Sequence, residues 1–181
     1  MSQLRQHLEF TFRNRIRILI GALKVDHLGT NVHIDKYVEF MRFPKNISIN
    51  DEVILKEGVK LCACNKQAKI KVGKRTTIGY HTFIFASENI EIGDDCLIAP
   101  FVYLVDSNHQ IAKSELINRQ TNETAPIRVG NDVWIASNVT ILKGVQIADG
   151  AVIAANSVVN CDIGAYEIWG GSPAKKIGER Q

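Results

Sequence analysis

A histidine beside the one irregular stretch of an otherwise regular chain is the first feature with chemistry in it. His109 closes the hexad Leu104-Val105-Asp106-Ser107-Asn108-His109, and residues 110–128 follow without pattern before the regular beat resumes at Val129. A neutral imidazole, with a pKa near about 6.5, can take a proton at physiological pH, so a histidine here is a candidate general base. Strand alternation turns His109 outward onto a flat face. A loop longer than about fifteen residues in a compact domain is usually functional or disordered, and this one leaves directly beside the histidine. Asp106 and Asn108 could orient the ring or an acceptor, or serve as corner residues, since Asx side chains suit turns. Trp134 falls at the same outward offset as His109, five places after its anchor, and an outward tryptophan suggests an interface or ligand wall. His81 could face an acceptor or be a surface or structural histidine. Cys62-Ala63-Cys64 is half a metal site without a second Cys/His pair, so the sequence predicts no metal and two buried thiols on one strand face.

The frame that must position these residues has a period of six. Val129, Ile135, Ile141, Ile147, Ile153 and Val159 form the cleanest run. The same phase recurs at Ile92, Ile98 and Leu104; at Val72, Ile78 and Ile84; at Ile49, Leu55 and Leu61; and at Leu28, Ile34 and Phe40. Four places after each anchor sits a second small or aliphatic residue, as at Val133, Val139 and Val145, and one place after it is often Gly or Ala. Two inward positions in six describe a short strand and a tight turn. Three such units close one triangular coil, and coils stack at the inter-strand spacing of about 4.8 Å. Coil starts at 28, 49, 72, 92, 129 and 147 predict six coils, with the small residue after each anchor letting the chain turn its corner.

The bulk properties narrow the class. A chain of 181 residues with 45% hydrophobic residues supports one globular domain, and a net charge of +3 gives no reason to expect nucleic acid. Four cysteines without a disulfide pattern and no signal peptide point to a reducing cytoplasm. The first 25 residues stand apart: Leu4, Leu8, Phe12, Ile16, Leu19 and Leu23 recur at helical spacing among Arg5, Arg13, Arg15, Arg17 and Lys24, with Glu9 as the lone acid. The expectation is an amphipathic helix packed on one end of the domain, with a basic helix resting on an anionic membrane as the other reading. The division is a helical segment 1–27, a β-helix 28–164 with its excursion at 110–128, and a tail 165–181.

The segments "IGDDCLIAPFVYLVDSNH", "IRVGNDVWIASNVTILKGVQIADGAVIAANSVV" and "GGSPAKKI" resemble the hexapeptide-repeat acyltransferases. They are similar to maltose and galactoside O-acetyltransferases, and more so to sugar O-acetyltransferases of bacterial surface-polysaccharide synthesis. The resemblance implies a mainly β fold, a left-handed parallel β-helix, and a homotrimer with acetyl-coenzyme A along the seam between prisms. It implies His109 as general base for direct attack of a sugar hydroxyl on the thioester, and the backbone N–H of Ser137 as oxyanion donor. Trp134, Ala136, Ser137, Ala154 and Ala155 match positions along the coenzyme. Asp106, Asn108 and His81 are the acceptor-side candidates, and the acceptor would be a sugar, nucleotide-sugar or lipid-linked glycan. Two departures stand out. Cys161 occupies a place near a phosphate-holding lysine of the galactoside enzymes, so Lys175 and Lys176 are the substitutes. Gly79 replaces an acceptor-contacting asparagine, so the acceptor is not expected to be a simple galactoside. Other readings are N-acetylation of a nucleotide-linked amino sugar, a non-catalytic β-helix scaffold and a γ-type carbonic anhydrase.

Overall fold

The computed structural model describes residues 8–181. Leu4 and Arg5 lie outside the described residues. The rest is mainly β: a left-handed parallel β-helix of triangular section with one α-helix, α1 (Phe12–Lys24), at its N-terminal end. Face A stacks strands at 27–28, 47–49, 69–72, 89–92, 127–129 and 146–147. Face B stacks strands at 33–34, 54–55, 77–78, 97–98, 134–135 and 152–153, and face C at 39–42, 60–63, 83–86, 103–105, 140–141 and 158–159. All these neighbours pair in parallel, with the anchors in register: Ile49 on Val72, Ile78 on Ile98, Leu104 on Ile141. The six expected coil starts are therefore the observed ones.

The interior is built of the anchor columns and the second inward positions. Ile49, Leu55, Leu61, Ile78, Ile84, Leu104, Ile135 and Ile141 are all fully buried, and each such side chain stabilises the fold by roughly 1.5–3 kcal/mol. Thr76 and Thr82 sit in that interior without cost in unpaired groups. Each hydroxyl donates to the next coil, Thr76 to Gly93 O at 2.8 Å and Thr82 to Ala99 O at 2.9 Å, and each accepts a backbone N–H from it.

The corners differ from the expectation in mechanism. The left-handed backbone lies three places after the anchor, at Arg75, His81, Asp95, Phe101, Asp132 and Asn138, with φ between 53° and 60°. The glycine directly after the anchor serves another purpose. A Cβ on Gly79 would stand 2.5 Å from Ala99 C, and those on Gly73 and Gly93 would strike the backbone of the next coil. At these three positions glycine is required by the approach of stacked coils, not by the turn.

The excursion is an ordered hairpin that begins earlier than the period suggested. Ser107–His109 pairs antiparallel with Asn122–Thr124, so the chain leaves the prism after Asp106 and is back on face A by Ile127. Gln120 stitches the tip, accepting from Ala112 N–H and donating to Ala112 O and Glu115 O. The tail also has structure. Glu167–Gly171 extends face B in parallel with the strand at 152–153, and Ala174–Glu179 folds back on it antiparallel, closing the C-terminal end.

Candidate functional site

The candidate residues divide between two edges of the prism. Trp134, Ala136 and Ser137 lie where face B turns into face C, and Ala154 and Ala155 occupy the same turn one coil further on. His81 sits at this edge as well, stacked on Phe101 with ring centroids 5.4 Å apart. The edge carries a line of small residues, Gly79, Ala99, Ala136, Ala154 and Gly170, spanning about 19 Å at the inter-coil spacing. Gly170 abuts Ala154, since a Cβ on it would lie 3.2 Å from the Ala154 Cβ. Lys175 pairs across the tail hairpin with Gly170, which brings it to the end of the same line.

Trp134 points outward and is 51% exposed. It pairs with Leu97 below and Val152 above. With Leu97, Tyr80, Pro100 and Lys56 it lines a cavity of about 250 Å³ whose walls are almost wholly apolar. Leu97 was not singled out from sequence, although it holds the same offset from Ile92 as Trp134 from Val129; that repeat of the offset was the available signal. Around Ser137 the amides on either side are engaged, Ala136 N–H with Ile153 O at 2.9 Å and Asn138 N–H with Pro100 O at 3.2 Å.

His109, Asn108 and Asp106 belong to the other edge, where face C turns into face A. His109 is exposed on the hairpin opposite Asn122, and Asn108 is exposed opposite Glu123. His109 is thus outward, but on the hairpin and not on a flat face of the prism. Lys143, at the same edge, pairs with Glu123 at 3.5 Å and ties the hairpin to the prism. The hairpin tip presents Ile111, Leu116 and Ile117 as exposed apolar side chains.

Asp106 is buried, and its carboxylate is consumed by the protein. It accepts from the N–H groups of Ser87 at 2.6 Å, Glu88 at 2.8 Å and Asn89 at 2.8 Å. Burial pushes its pKa up, and the three N–H donors, each needing a lone pair, pull it back. Its backbone carbonyl accepts Ala125 N–H at 3.0 Å, closing the base of the hairpin. Asp106 therefore anchors the departure of the hairpin, and the acceptor-side role expected of its side chain is taken up by these bonds. Ser107 adds a hydroxyl contact to Ser87 at 3.0 Å.

Of the two candidate lysines, Lys176 is engaged by Glu167 and Glu179. The Lys176 hydrogen bond, with those of the Trp169 indole and Gly164 N–H, draws the Glu167 carboxyl down to about 2. Among the described residues Lys175 has no ion pair and is the free cation of the tail. The thiols vary: Cys62 and Cys96 are buried, Cys64 is half-buried and Cys161 is exposed. Burial raises Cys96 to about 11. His33 is buried on face B, edge-on to Phe10 at 5.5 Å, and its pKa is lowered by burial. The three coil histidines, His33, His81 and His109, thus occupy separate places.

Stacked triangular coils with a small-residue edge and a hairpin-borne histidine define a hexapeptide-repeat protein. The family model for the bacterial transferase hexapeptide (six repeats) matches residues 126–165. A Mycobacterium tuberculosis protein named as a probable acetyltransferase is 30% identical over 82% of this chain and 58% of its own length. Escherichia coli WbbJ, named for lipopolysaccharide biosynthesis O-acetyl transfer, is 29% identical over 90% of this chain and 86% of its own length. The crystal structure of a hexapeptide-repeat acetyltransferase from Vibrio cholerae, complexed with acetyl-coenzyme A, superposes with a TM-score of 0.69 at 26% identity, covering 98% of this chain and 83% of that one. The chain thus spans less than two thirds of the first of these relatives.

Proposed function

We propose that this protein is an acetyl-coenzyme A-dependent O-acetyltransferase acting on a sugar hydroxyl in surface-glycan assembly, with its site shared between two protomers of a trimer. One observation carries the reading: the small-residue edge beside Trp134 and the histidine-bearing hairpin lie on different edges, with face C between them. Two edges of one prism come together only across a subunit boundary, as in a ring of prisms standing side by side. The exposed apolar tip of the hairpin, Ile111, Leu116 and Ile117, supports such a contact.

Acetyl-coenzyme A would run along the edge of Gly79, Ala99, Ala136 and Ala154, where the absence of large side chains admits an extended chain, with Trp134 as its wall. Lys175 would offer the positive charge at one end. His109 of the neighbouring protomer would take the proton of the sugar hydroxyl as its oxygen bonds to the acetyl carbon. The oxyanion that forms would be met by the Ser137 N–H. Collapse breaks the carbon–sulfur bond, and His109 returns the proton to the departing thiol. No side chain is acylated. The likeness to WbbJ and the loss of the galactoside-type asparagine at Gly79 favour a glycan other than a simple galactoside. The reaction belongs in the cytoplasm, where the exposed free thiol of Cys161 also fits.

The test is complementation between inactive variants. His109→Ala removes the base, and Ala136→Trp blocks the coenzyme edge. Each alone is expected to be inactive and folded. Trimers reassembled from an equal mixture should recover activity at about one quarter of the wild-type sites, because random assembly joins an intact hairpin to an intact edge that often. Mixed trimers that stay silent would place the whole site within one chain. An acceptor panel with free hydroxyls or free amines, read by mass spectrometry, separates O- from N-transfer.

A further inference from the structure

Helix α1 closes the open N-terminal end of the prism, but with the side that the sequence made least apolar. Thr11 caps it, its hydroxyl accepting Asn14 N–H at 3.2 Å. Asn14 and Gly21 are its buried residues, and Ile18 packs on the core. Asn14 Nδ2 donates to Ile34 O at 2.7 Å. A Cβ on Gly21 would meet Ile34, Phe40 and Leu28, one side chain from each face of the first coil. Asn14, Ile18 and Gly21 therefore look into the prism.

At 3.6 residues per turn, Phe12, Ile16, Leu19, Ile20 and Leu23 fall on the opposite side. They are exposed there: Phe12 by 78%, Leu23 by 72% and Leu19 by 63%. Arg13 and Lys24 border the stripe on one flank and Arg15 on the other, and the helix contains no acidic residue. A helix that serves a core buries its apolar stripe; this one turns it away from the protein.

We infer that α1 docks the N-terminal end of the prism on an anionic lipid bilayer, with the stripe in the headgroup–acyl boundary and Arg13, Arg15 and Lys24 at the level of the phosphates. Charge selects this occupant over a second copy of the chain. Two stripes meeting face to face would bring the cationic flanks together with no carboxylate on either helix to receive them. An anionic surface neutralises the same flanks. Side-by-side prisms would set three such stripes in one plane, so that individually weak contacts act together.

Co-sedimentation of the full chain with vesicles tests this. Binding is expected to vesicles of phosphatidylcholine mixed with phosphatidylglycerol, to weaken as salt rises, and to be absent with phosphatidylcholine alone. Leu19→Ser/Leu23→Ser should lower partitioning about tenfold or more, and Arg13→Ala/Arg15→Ala about tenfold. Neither pair should change thermal stability, solution mass or acetyl transfer to a water-soluble acceptor. Equal sedimentation with and without anionic vesicles would overturn the inference, as would a fall in solution mass of the stripe variant, which would assign the stripe to a subunit contact. Because transfer to a soluble acceptor is read separately, failure here is distinct from failure of the proposed enzyme activity.

Discussion

Replacing Asp106 by alanine should unfold the base of the hairpin that carries His109 and not merely weaken acceptor binding. Three N–H groups lose their acceptor at once: Ser87, Glu88 and Asn89, held at 2.6–2.8 Å. The Ser87 bond is buried, whereas those of Glu88 and Asn89 are part-buried and within reach of water. One buried orphan donor costs about 2 kcal/mol and two that water can reach cost about 0.5–1 kcal/mol each, so the loss comes to about 3–4 kcal/mol. For a domain of this size that lowers the melting temperature by roughly 6–15 °C. Asp106→Asn retains one acceptor oxygen while presenting an NH2 to a donor, and should fall between the two. Thermal unfolding followed by steady-state kinetics at a temperature where the variant is folded gives the answer. If Asp106→Ala melted with the wild type and raised only the acceptor KM, the carboxylate would be an acceptor ligand and the structural argument would fail.

Other outcomes follow from the same geometry. His109→Ala should lose about 10²–10⁴-fold in kcat with an unchanged melting temperature, since its side chain is exposed and general-base contributions are of that size. A thiol reagent at neutral pH should label Cys161 rapidly and Cys96 only on unfolding, because burial lifts the Cys96 thiol to about 11 and leaves it protonated; mass spectrometry of the labelled peptides reads this. Glu167 contributes to stability in its charged form, since its folded pKa is depressed to about 2. That contribution is present above the ordinary carboxylate range and is lost as pH falls from about 4.5 through about 2. Thermal melts of Glu167→Gln across that window should show a smaller drop than the wild type; an identical acid profile would remove Glu167 from the account.

The period of six located the coils because inward positions must be small or aliphatic in every coil, so the constraint is printed once per hexad. The edges of the prism were legible for the same reason: Trp134, Ala136 and Ala154 each repeat a position that other coils also fill. The hairpin carried no such repetition. Asp106 looked like one more hexad member, and only its three long-range N–H partners, seventeen to nineteen residues back in the chain, reveal that the coil ends there. Helix α1 shows the opposite limit. Its spacing announced an amphipathic helix correctly, but spacing cannot say which side meets the protein. The first coil already fills its own interior with Leu28, Ile34 and Phe40, leaving room above it only for Gly21 and a polar anchor, Asn14, bonded to Ile34 O. A helix that must lie that close presents its small and polar side downward, and its large apolar residues have nowhere to go but out.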